Sequence, residues 1–417
     1  MKIPTLLLAG TLVSTGAISA VALARGRATA AASFTDEGPR HPGPDSARVE
    51  LFLGGLRAAD PILCQMVADQ LGNFWSSYGA HQVGLLADDS RSWESARDSL
   101  ASPATDAAAL RRLARGLDDT NPCVRRVAAK LLGRSRENGA ALLATALQSP
   151  SARVREAAAL ALGHADRPES LGELTRATRD DSPAVVAMAA WALGELERPE
   201  AIGRLSELVQ SRETLVRRAA AWALGAIEDP RGVAPLLPLL RDDDAATRAL
   251  AAHALGDIES RTAVDPLIAA LRDGDAEVRR EAATALGQIE DPRAAGPLGH
   301  LLQDASPRVR RAAAEALGDL DELEVAPPEL IAALASGDPS LRRAVADALA
   351  EIADPRAIDA LGRAIGDPDL ETRRAVVRAI AEIDDAAVTP YLLRALKDAD
   401  REIRKTAAEA LGDRKEH

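Results

Sequence analysis

The sequence has very few aromatic residues and cysteines, and this scarcity limits what the chain can be. Aromatic side chains make up 2% of the 417 residues, although 47% of the residues are hydrophobic. The core therefore has to be built from Ala, Leu, Val and Ile, whose small size favours closely packed helices. The two cysteines, Cys64 and Cys123, allow one disulfide at most and exclude a cysteine-rich metal fold.

The chain also lacks an excess of positive charge. Its formal net charge is -12, and a chain of this sign has no general field that would hold the phosphates of a nucleic acid. No zinc motif, phosphate-binding loop or Ser/His/Asp spacing stands out either. We therefore predict no nucleic-acid partner, no cofactor, no metal site and no catalytic residue.

The N-terminus predicts export. An uncharged run over residues 3–24 follows the initial Met and Lys, and Ala-x-Ala sites lie at its end, a pattern typical of a secretory signal peptide over residues 1–30. The alternative is a retained membrane anchor, because the run is long enough to span a bilayer. Residues 31–46 are predicted to form a flexible linker. The expected location is periplasmic or extracellular, with membrane contact only if the anchor is retained.

One motif recurs through most of the chain. Residues 275–287 read Asp-Ala-Glu-Val-Arg-Arg-Glu-Ala-Ala-Thr-Ala-Leu-Gly. A constant period of about 31 residues indicates a solenoid, in which each unit buries its apolar face only against its neighbours. We predict regular two-helix repeats over 119–417 and divergent repeats over 47–118, about twelve units in all. The reference position of each unit, equivalent to Gly287, is occupied by Gly133, Gly163, Gly194, Gly225, Gly256, Gly287, Gly318, Ala350, Ala381 and Gly412.

Each unit is predicted to consist of a helix A followed by a helix B. In the unit that ends at Gly287, we expect helix A over 263–271 and helix B over 277–286, with Asp275 as the N-cap of helix B. The reference glycine is expected to end helix B in the left-handed conformation that favours glycine.

An arginine stands eight residues before the reference position in nine of the ten units. No catalytic site needs nine copies of one residue, so a structural ladder is the simpler interpretation. Each guanidinium is expected to bond the carbonyls of its loop and the loop aspartates of an adjacent unit. The predicted ladder consists of Arg125, Arg155, Arg217, Arg248, Arg279, Arg310, Arg342, Arg373 and Arg404.

Variation at two other positions of helix B points to a binding surface. Three residues before the reference position, consecutive units carry Leu160, Trp191, Trp222 and His253, and Arg218 lies on the same helical face as Trp222. Arg218 is expected to stack on the ring of Trp222. Exposed aromatic residues beside arginine are typical of interface hot spots. The alternative is that both rings are buried against the next unit.

The repeat unit resembles the HEAT-repeat superfamily. Its pattern of Val-Arg-x-x-Ala-Ala-x-Ala-Leu-Gly, then x-Ile-x-Asp-Pro-Arg, is similar to the short repeats of phycobilin (PBS) lyase subunits over about residues 118–413. The resemblance implies a right-handed α-solenoid whose B helices line the concave face. Deoxyhypusine hydroxylase, an enzyme with related repeats, holds iron through His-Glu pairs. None of the six histidines of this chain is followed by Glu, so that iron site is absent.

Together, these patterns predict an exported, non-enzymatic scaffold that binds a protein or peptide on its concave face. The alternative is a lyase or an enzyme-accessory subunit, which the resemblance also allows. Self-association through the C-terminal end is a further expectation, because the last helix, 402–411, has no distinct cap.

A disulfide between Cys64 and Cys123 is left open by the sequence. Export favours such a bond. If two full repeats separate the residues, however, their Cα atoms lie beyond the limit of about 7 Å that a disulfide allows.

Overall fold

The computed structural model of the chain describes residues 45–58, 103–165, 167–320 and 323–413, without the side chains of 136–138. All the regular secondary structure in these residues is helical, which confirms the predicted all-α solenoid. The predicted signal peptide or anchor, nearly all of the linker and most of the divergent repeats lie outside the described residues. None of the described helices has the length and apolar character that crossing a bilayer requires.

Twenty-one α-helices occupy the described residues. The first, α1, spans Ser46–Ala58 and precedes ten units of two helices each. The A helices are α2 (Ala107–Gly116), α4 (Arg136–Ala146), α6 (Leu171–Ala177), α8 (Ile202–Leu208), α10 (Val233–Leu236), α12 (Val264–Ala270), α14 (Ala295–Leu301), α16 (Pro328–Ala333), α18 (Ile358–Ala364) and α20 (Thr389–Ala395). The B helices are α3 (Pro122–Arg134), α5 (Ala152–Gly163), α7 (Pro183–Glu195), α9 (Thr214–Ala226), α11 (Ala245–Asp257), α13 (Ala276–Ile289), α15 (Pro307–Asp319), α17 (Pro339–Ile352), α19 (Leu370–Glu382) and α21 (Arg401–Asp413).

The helix boundaries differ from the predicted ones by a few residues. In the unit of Gly287, helix A begins with a 3-10 turn, Arg261–Ala263, before α12, and helix B extends to Ile289. Asp275 caps helix B as predicted, because its carboxylate accepts a hydrogen bond from the backbone N–H of Glu277 at 2.8 Å. Equivalent caps are formed by Asp244, Asp338 and Asp369.

The reference glycine is not left-handed, so the prediction for its backbone is wrong. Gly287 lies inside α13, and the left-handed residue comes three positions later, at Glu290, whose φ is 55°. A close approach between helices requires the glycine instead. A Cβ atom on Gly225 would lie 2.8 Å from the Cα of Ala254 in the next B helix. The same left-handed position is occupied in other units by Glu197, Glu228, Glu259 and Ala353.

The B helices form the closely packed layer of the stack. Consecutive B helices pack directly on one another, whereas each A helix contacts mainly the B helix of its own unit. The buried core between them consists almost entirely of Ala, Leu, Val and Ile, as the scarcity of aromatic residues required. Since the B layer is packed more closely than the A layer, we infer that the stack curves with the B helices on its inner side.

The arginine ladder joins the loops of successive units. The guanidinium of Arg248 pairs with both carboxylate oxygens of Asp273 in the next unit, at 2.7 and 2.8 Å. It also donates to the carbonyl oxygen of Asp242 in its own loop at 2.8 Å. Asp273 in turn accepts the backbone N–H of Asp275 at 2.8 Å. The corresponding pairs are Arg155 with Asp180, Arg217 with Asp242, Arg279 with Asp304, Arg342 with Asp367 and Arg373 with Asp398.

Three ladder arginines bond the carbonyls of their own loop but do not pair, within the described residues, with an aspartate 25 positions further along: Arg125, Arg310 and Arg404. The sequence explains two of them, because the position 25 residues further holds Pro150 for Arg125 and Ala335 for Arg310. The guanidinium of Arg310 lies instead 3.8 Å from the carboxylate of Asp338 in the next unit. The close, two-pronged ladder pair is therefore formed only where the aspartate 25 positions further is present.

Adding one methyl group should have opposite effects at two glycines. Gly225→Ala is expected to lower the free energy of unfolding by about 1–3 kcal/mol, because the methyl group overlaps the next B helix. Gly203→Ala is the matched control, since a Cβ there meets nothing within 4 Å. It should stabilise α8 by roughly 0.5–1 kcal/mol. Urea unfolding of both variants measures the difference, and equal effects would contradict the close-approach role.

The contribution of one ladder pair should depend on pH. Arg248→Lys loses the two-pronged pair and should destabilise the chain by about 1–2 kcal/mol at pH 7. The pKa of Asp273 is held below its ordinary value, chiefly by the hydrogen bond from Arg248. A carboxyl group whose pKa is lower in the folded chain than in the unfolded chain stabilises the fold at pH values above its unfolded pKa, near 4. This stabilisation is lost as the pH falls through the pKa of the folded chain. The difference between Arg248→Lys and the unsubstituted chain should therefore shrink below about pH 4.

Arg404→Lys is the matched control for this experiment. Arg404 bonds two carbonyls of its loop, those of Asp398 and Ala399, as Arg248 bonds those of Asp242 and Asp243. No aspartate among the described residues pairs with Arg404 across the ladder. Its substitution should cost less at pH 7 and show little dependence on pH in chemical unfolding followed by circular dichroism. An equal pH dependence in both variants would rule out the Arg248–Asp273 pair as the cause.

Candidate functional site

Four residues predicted as binding residues form one line along the stack. Leu160, Trp191, Trp222 and His253 occupy equivalent positions of the consecutive B helices α5, α7, α9 and α11, and we call them the central row. Each of the four is half-buried. Their side chains therefore belong partly to the core and partly to the inner surface.

The two tryptophan rings of the central row stack on each other. The ring centroids of Trp191 and Trp222 are 5.9 Å apart and the ring planes differ by 22°. The imidazole of His164 meets Trp191 edge-on, with a centroid distance of 5.2 Å. Such pairs contribute about 0.5–1.5 kcal/mol beyond the burial of their area. The three rings form a preorganised aromatic patch.

The rings lean onto the preceding unit, where the reference glycines leave room. A Cβ on Gly163 would lie 2.9 Å from Cζ3 of Trp191, and a Cβ on Gly194 would lie 2.8 Å from Cζ3 of Trp222. The sequence had offered exposure or burial against the next unit as alternatives. The structure combines the two: one part of each ring covers a glycine of the preceding unit, Trp191 also stacks on Trp222 of the next unit, and the rest of each ring stays accessible.

Arg218 does not stack on Trp222 as expected. Its guanidinium pairs with Asp244, the N-cap of α11, through Nε at 2.9 Å and Nη2 at 2.7 Å. Asp244 also accepts the backbone N–H of Thr247 at 2.8 Å. A carboxylate that is held at a helix N-terminus offers a fork of acceptors, and this bidentate geometry suits a guanidinium better than a ring face.

His253 lies between two carboxylates. Its Nε2 is 3.5 Å from Oδ2 of Asp257, and its Nδ1 is 3.6 Å from Oε2 of Glu281. The pKa of His253 is raised above its ordinary value, first by the facing carboxylate of Glu281 and then by Asp257, although burial and Arg280 oppose the rise. Within the described ranges, no group of His, Cys, Asp and Glu side chains is arranged to hold a metal ion.

A basic group lies at the N-terminal side of the aromatic patch, and the sequence interpretation missed it. Arg126, Lys130 and Arg134 follow one another at every fourth residue of α3, on one helical face. The pKa of His164 is lowered to about 4, first by burial and then by these three cations. The sequence signal that could have revealed this group is the residue directly after the reference position. This residue is Arg134 in the unit of α3 and His164 in the unit of α5.

Two predictions concern residues at the limits of the described chain and stay predictions. Cys123 is disulfide-bonded, but Cys64, its proposed partner, lies outside the described residues. Self-association through the C-terminal end involves α21, where a Cβ on Gly412 would meet no atom within 4 Å.

No curated protein sequence matches the chain. Similar solved structures include an engineered protein (25% identity, TM-score 0.46, covering 73% of this chain and 98% of that one). A second is the complex of CpcE and CpcF of phycocyanin lyase from Nostoc sp. PCC7120 (22% identity, TM-score 0.35, covering 54% of this chain and 92% of that one). A third is the YibA protein of Escherichia coli (20% identity, TM-score 0.46, covering 66% of this chain and 91% of that one). Likenesses of this size carry no argument about activity.

The sequence profile of the HEAT repeats family matches six overlapping segments: 107–187, 139–214, 174–256, 203–276, 264–328 and 327–412. These segments together extend from residue 107 to residue 412, far more than half of the 417 residues. The chain belongs to the HEAT repeats family.

Proposed function

We propose that the chain is an exported scaffold that binds a protein or peptide partner along the inner face of its B helices and has no catalytic activity of its own. The stacked, half-exposed pair of Trp191 and Trp222 is the observation that carries this proposal. In a chain with only 2% aromatic residues, two consecutive units place a large ring at the same inner position. Tryptophan is among the residues most enriched at the energetic centres of interfaces.

The packing of the rings also favours binding. Each ring is fixed against a glycine of the preceding unit and against the other ring. A partner that docks there immobilises few additional side-chain rotors, so little conformational entropy is lost on association. Export is supported by the sequence pattern of residues 1–30.

The alternative function, a lyase or an enzyme-accessory subunit, rests on the resemblance of the repeat alone. The absorption spectrum of the purified chain tests it. A chromophore that copurifies with the chain would favour the alternative over a scaffold.

Removal of the two rings should weaken capture of the partner. The partner is first obtained by affinity capture from the exported fraction and identified by mass spectrometry. We expect Trp191→Ala combined with Trp222→Ala to raise the Kd for this partner by about tenfold or more, as for hot-spot residues. Isothermal titration calorimetry measures the change.

Tyr391→Ala is the control variant. Tyr391 is a half-buried aromatic residue of the outer helix α20, where its ring lies against Gly362 and its hydroxyl bonds Asp359. The variant should lose some stability through reduced packing and keep the affinity of the unsubstituted chain. If the double tryptophan variant binds as tightly as Tyr391→Ala, the inner face is not the docking surface.

A further inference from the structure

The C-terminal end of the stack exposes a position that the other units bury. Four residues before the reference position, the side chain is at most 1% exposed in nine of the ten units: Ala129, Ala159, Ala190, Ala221, Ala252, Ala283, Ala314, Ala346 and Val377. The tenth residue of this series, Ala408 of α21, is exposed. No further unit follows α21 in the described part of the chain. The position is therefore one that the next unit covers.

Other apolar residues of the last unit are open in the same way. Leu411, directly before the reference position, is half-buried, whereas its equivalents Leu286 and Leu317 are completely buried. In α20, which packs against α21, Leu393 is 51% exposed. Residues 414–417, which follow α21, are Arg, Lys, Glu and His, and none of them is apolar. We call this surface the C-terminal face: Leu393 of α20 and, three or four residues apart on one side of α21, Arg404, Ala408, Leu411 and Gly412.

Gly412 indicates that another helix approaches this face. Glycine weakens a helix relative to alanine. At Gly225 and Gly287, the close approach of the next B helix accounts for its use, because a Cβ would lie 2.8 and 2.9 Å from a backbone Cα. A Cβ on Gly412 would meet no atom of the described residues within 4 Å. A helix of a second molecule that packs on α21 would give Gly412 the role that Gly225 has inside the stack.

Arg404 presents a pair of donors that other units use. Its equivalent Arg248 gives Nη1 to the carbonyls of its own loop, and gives Nε and Nη2 to Asp273 of the next unit. Arg404 makes the carbonyl bonds through Nη1. No carboxylate among the described residues accepts a hydrogen bond from its Nε or Nη2. The C-terminal face therefore combines an apolar strip with a fork of donors that suits a carboxylate.

The opposite end of the described stack is already covered. Helix α1 packs on α2 and α3 of the first unit and buries Val49, Leu53 and Leu56. Its Leu53 side chain comes within 3.3 Å of the position that a Cβ on Gly116 would take. Head-to-tail stacking of two copies would have to displace α1. Two C-terminal faces can meet without such a change, and contact through the same face gives a closed dimer with two-fold symmetry.

The two-fold symmetry fixes how the helices meet. A rotation that brings the two faces together and keeps B helix against B helix makes α21 antiparallel to its counterpart. If the axis passes near Ala408, Arg404 of one copy lies opposite Gly412 of the other, because both are four residues from Ala408. The guanidinium then meets the carboxylate of Asp413 and the last carbonyls of the second α21. A cation is favourable at this end of a helix, so the face is complementary in charge to itself.

We propose that the C-terminal face binds the same face of a second copy of this chain, with α21 antiparallel to its counterpart and Arg404 paired with Asp413 of the second copy on each side of the axis. Ala408 lies on the axis, and Gly412 permits the close approach of the two helices. This dimer goes beyond the proposed function and does not rest on it, because the contact uses the end of the stack and not the inner face.

Sedimentation equilibrium of the purified chain tests for the dimer. The mass should rise with concentration from that of one chain to that of two chains and no further. Ala408→Arg places like charges on the axis and should raise the dissociation constant by about tenfold or more. Ala269→Arg adds the same charge at an exposed position of α12 and should leave the dissociation constant unchanged. Circular dichroism verifies that both variants are folded.

An exchange of charges tests the antiparallel arrangement. Arg404→Asp alone and Asp413→Arg alone should each weaken the dimer by about tenfold or more, because both pairs across the axis then carry like charges. A mixture of the two variants should form dimers again, since each pair then joins one carboxylate to one guanidinium. A loss of folding in either variant would not be repaired by mixing.

Three results would overturn the proposal: the mass of a single chain at every concentration measured, masses above that of two chains, or equal association of Ala408→Arg and Ala269→Arg. A mixture of the charge variants that stays monomeric would contradict the antiparallel pairing. Since the dimer gives Arg404 an aspartate partner, unfolding of Arg404→Lys is compared with that of Arg248→Lys at concentrations where the chain is monomeric.

Discussion

The close approach of consecutive B helices is the constraint on which the rest of the structure depends. A single methyl group on Gly194, Gly225 or Gly287 would come within about 3 Å of the next helix backbone. Helices can meet this closely only through small side chains, which explains why the core is made of Ala, Leu, Val and Ile. The rings of Trp191 and Trp222 lie over the glycines that the same constraint requires.

The loops of the stack are held by a different interaction. At the start of six B helices, an Arg–Asp pair links two units, as Arg248 pairs with Asp273, and the aspartate also accepts a backbone N–H at the start of the following helix. Hydrophobic contact sets how closely the units pack, and the paired charges set their register. The inner positions are then free to vary from unit to unit, because neither interaction uses them. A binding surface can change its chemistry there without altering the fold.

The period, the helix pairs and the Asp275 cap could be predicted from the sequence, because a constant repeat and a buried stripe fix them locally. The role of Gly287 could not be predicted from the sequence, since glycine is compatible both with a left-handed turn and with a close approach of two helices. The partner of Arg218 was missed for a related reason. Asp244 lies in the next unit, and only the stacking of the units brings the two side chains together. His164 was overlooked because its environment comes from Trp191 and from α3.

The most direct test of the account is to observe the four tryptophan indoles of the chain during partner binding. The side-chain N–H signals of Trp75, Trp93, Trp191 and Trp222 can be assigned by single substitution with Phe and followed by NMR as the captured partner is added. The account predicts that the signals of Trp191 and Trp222 shift and saturate with the partner. Saturable shifts confined to Trp75 or Trp93, with Trp191 and Trp222 unchanged, would contradict it.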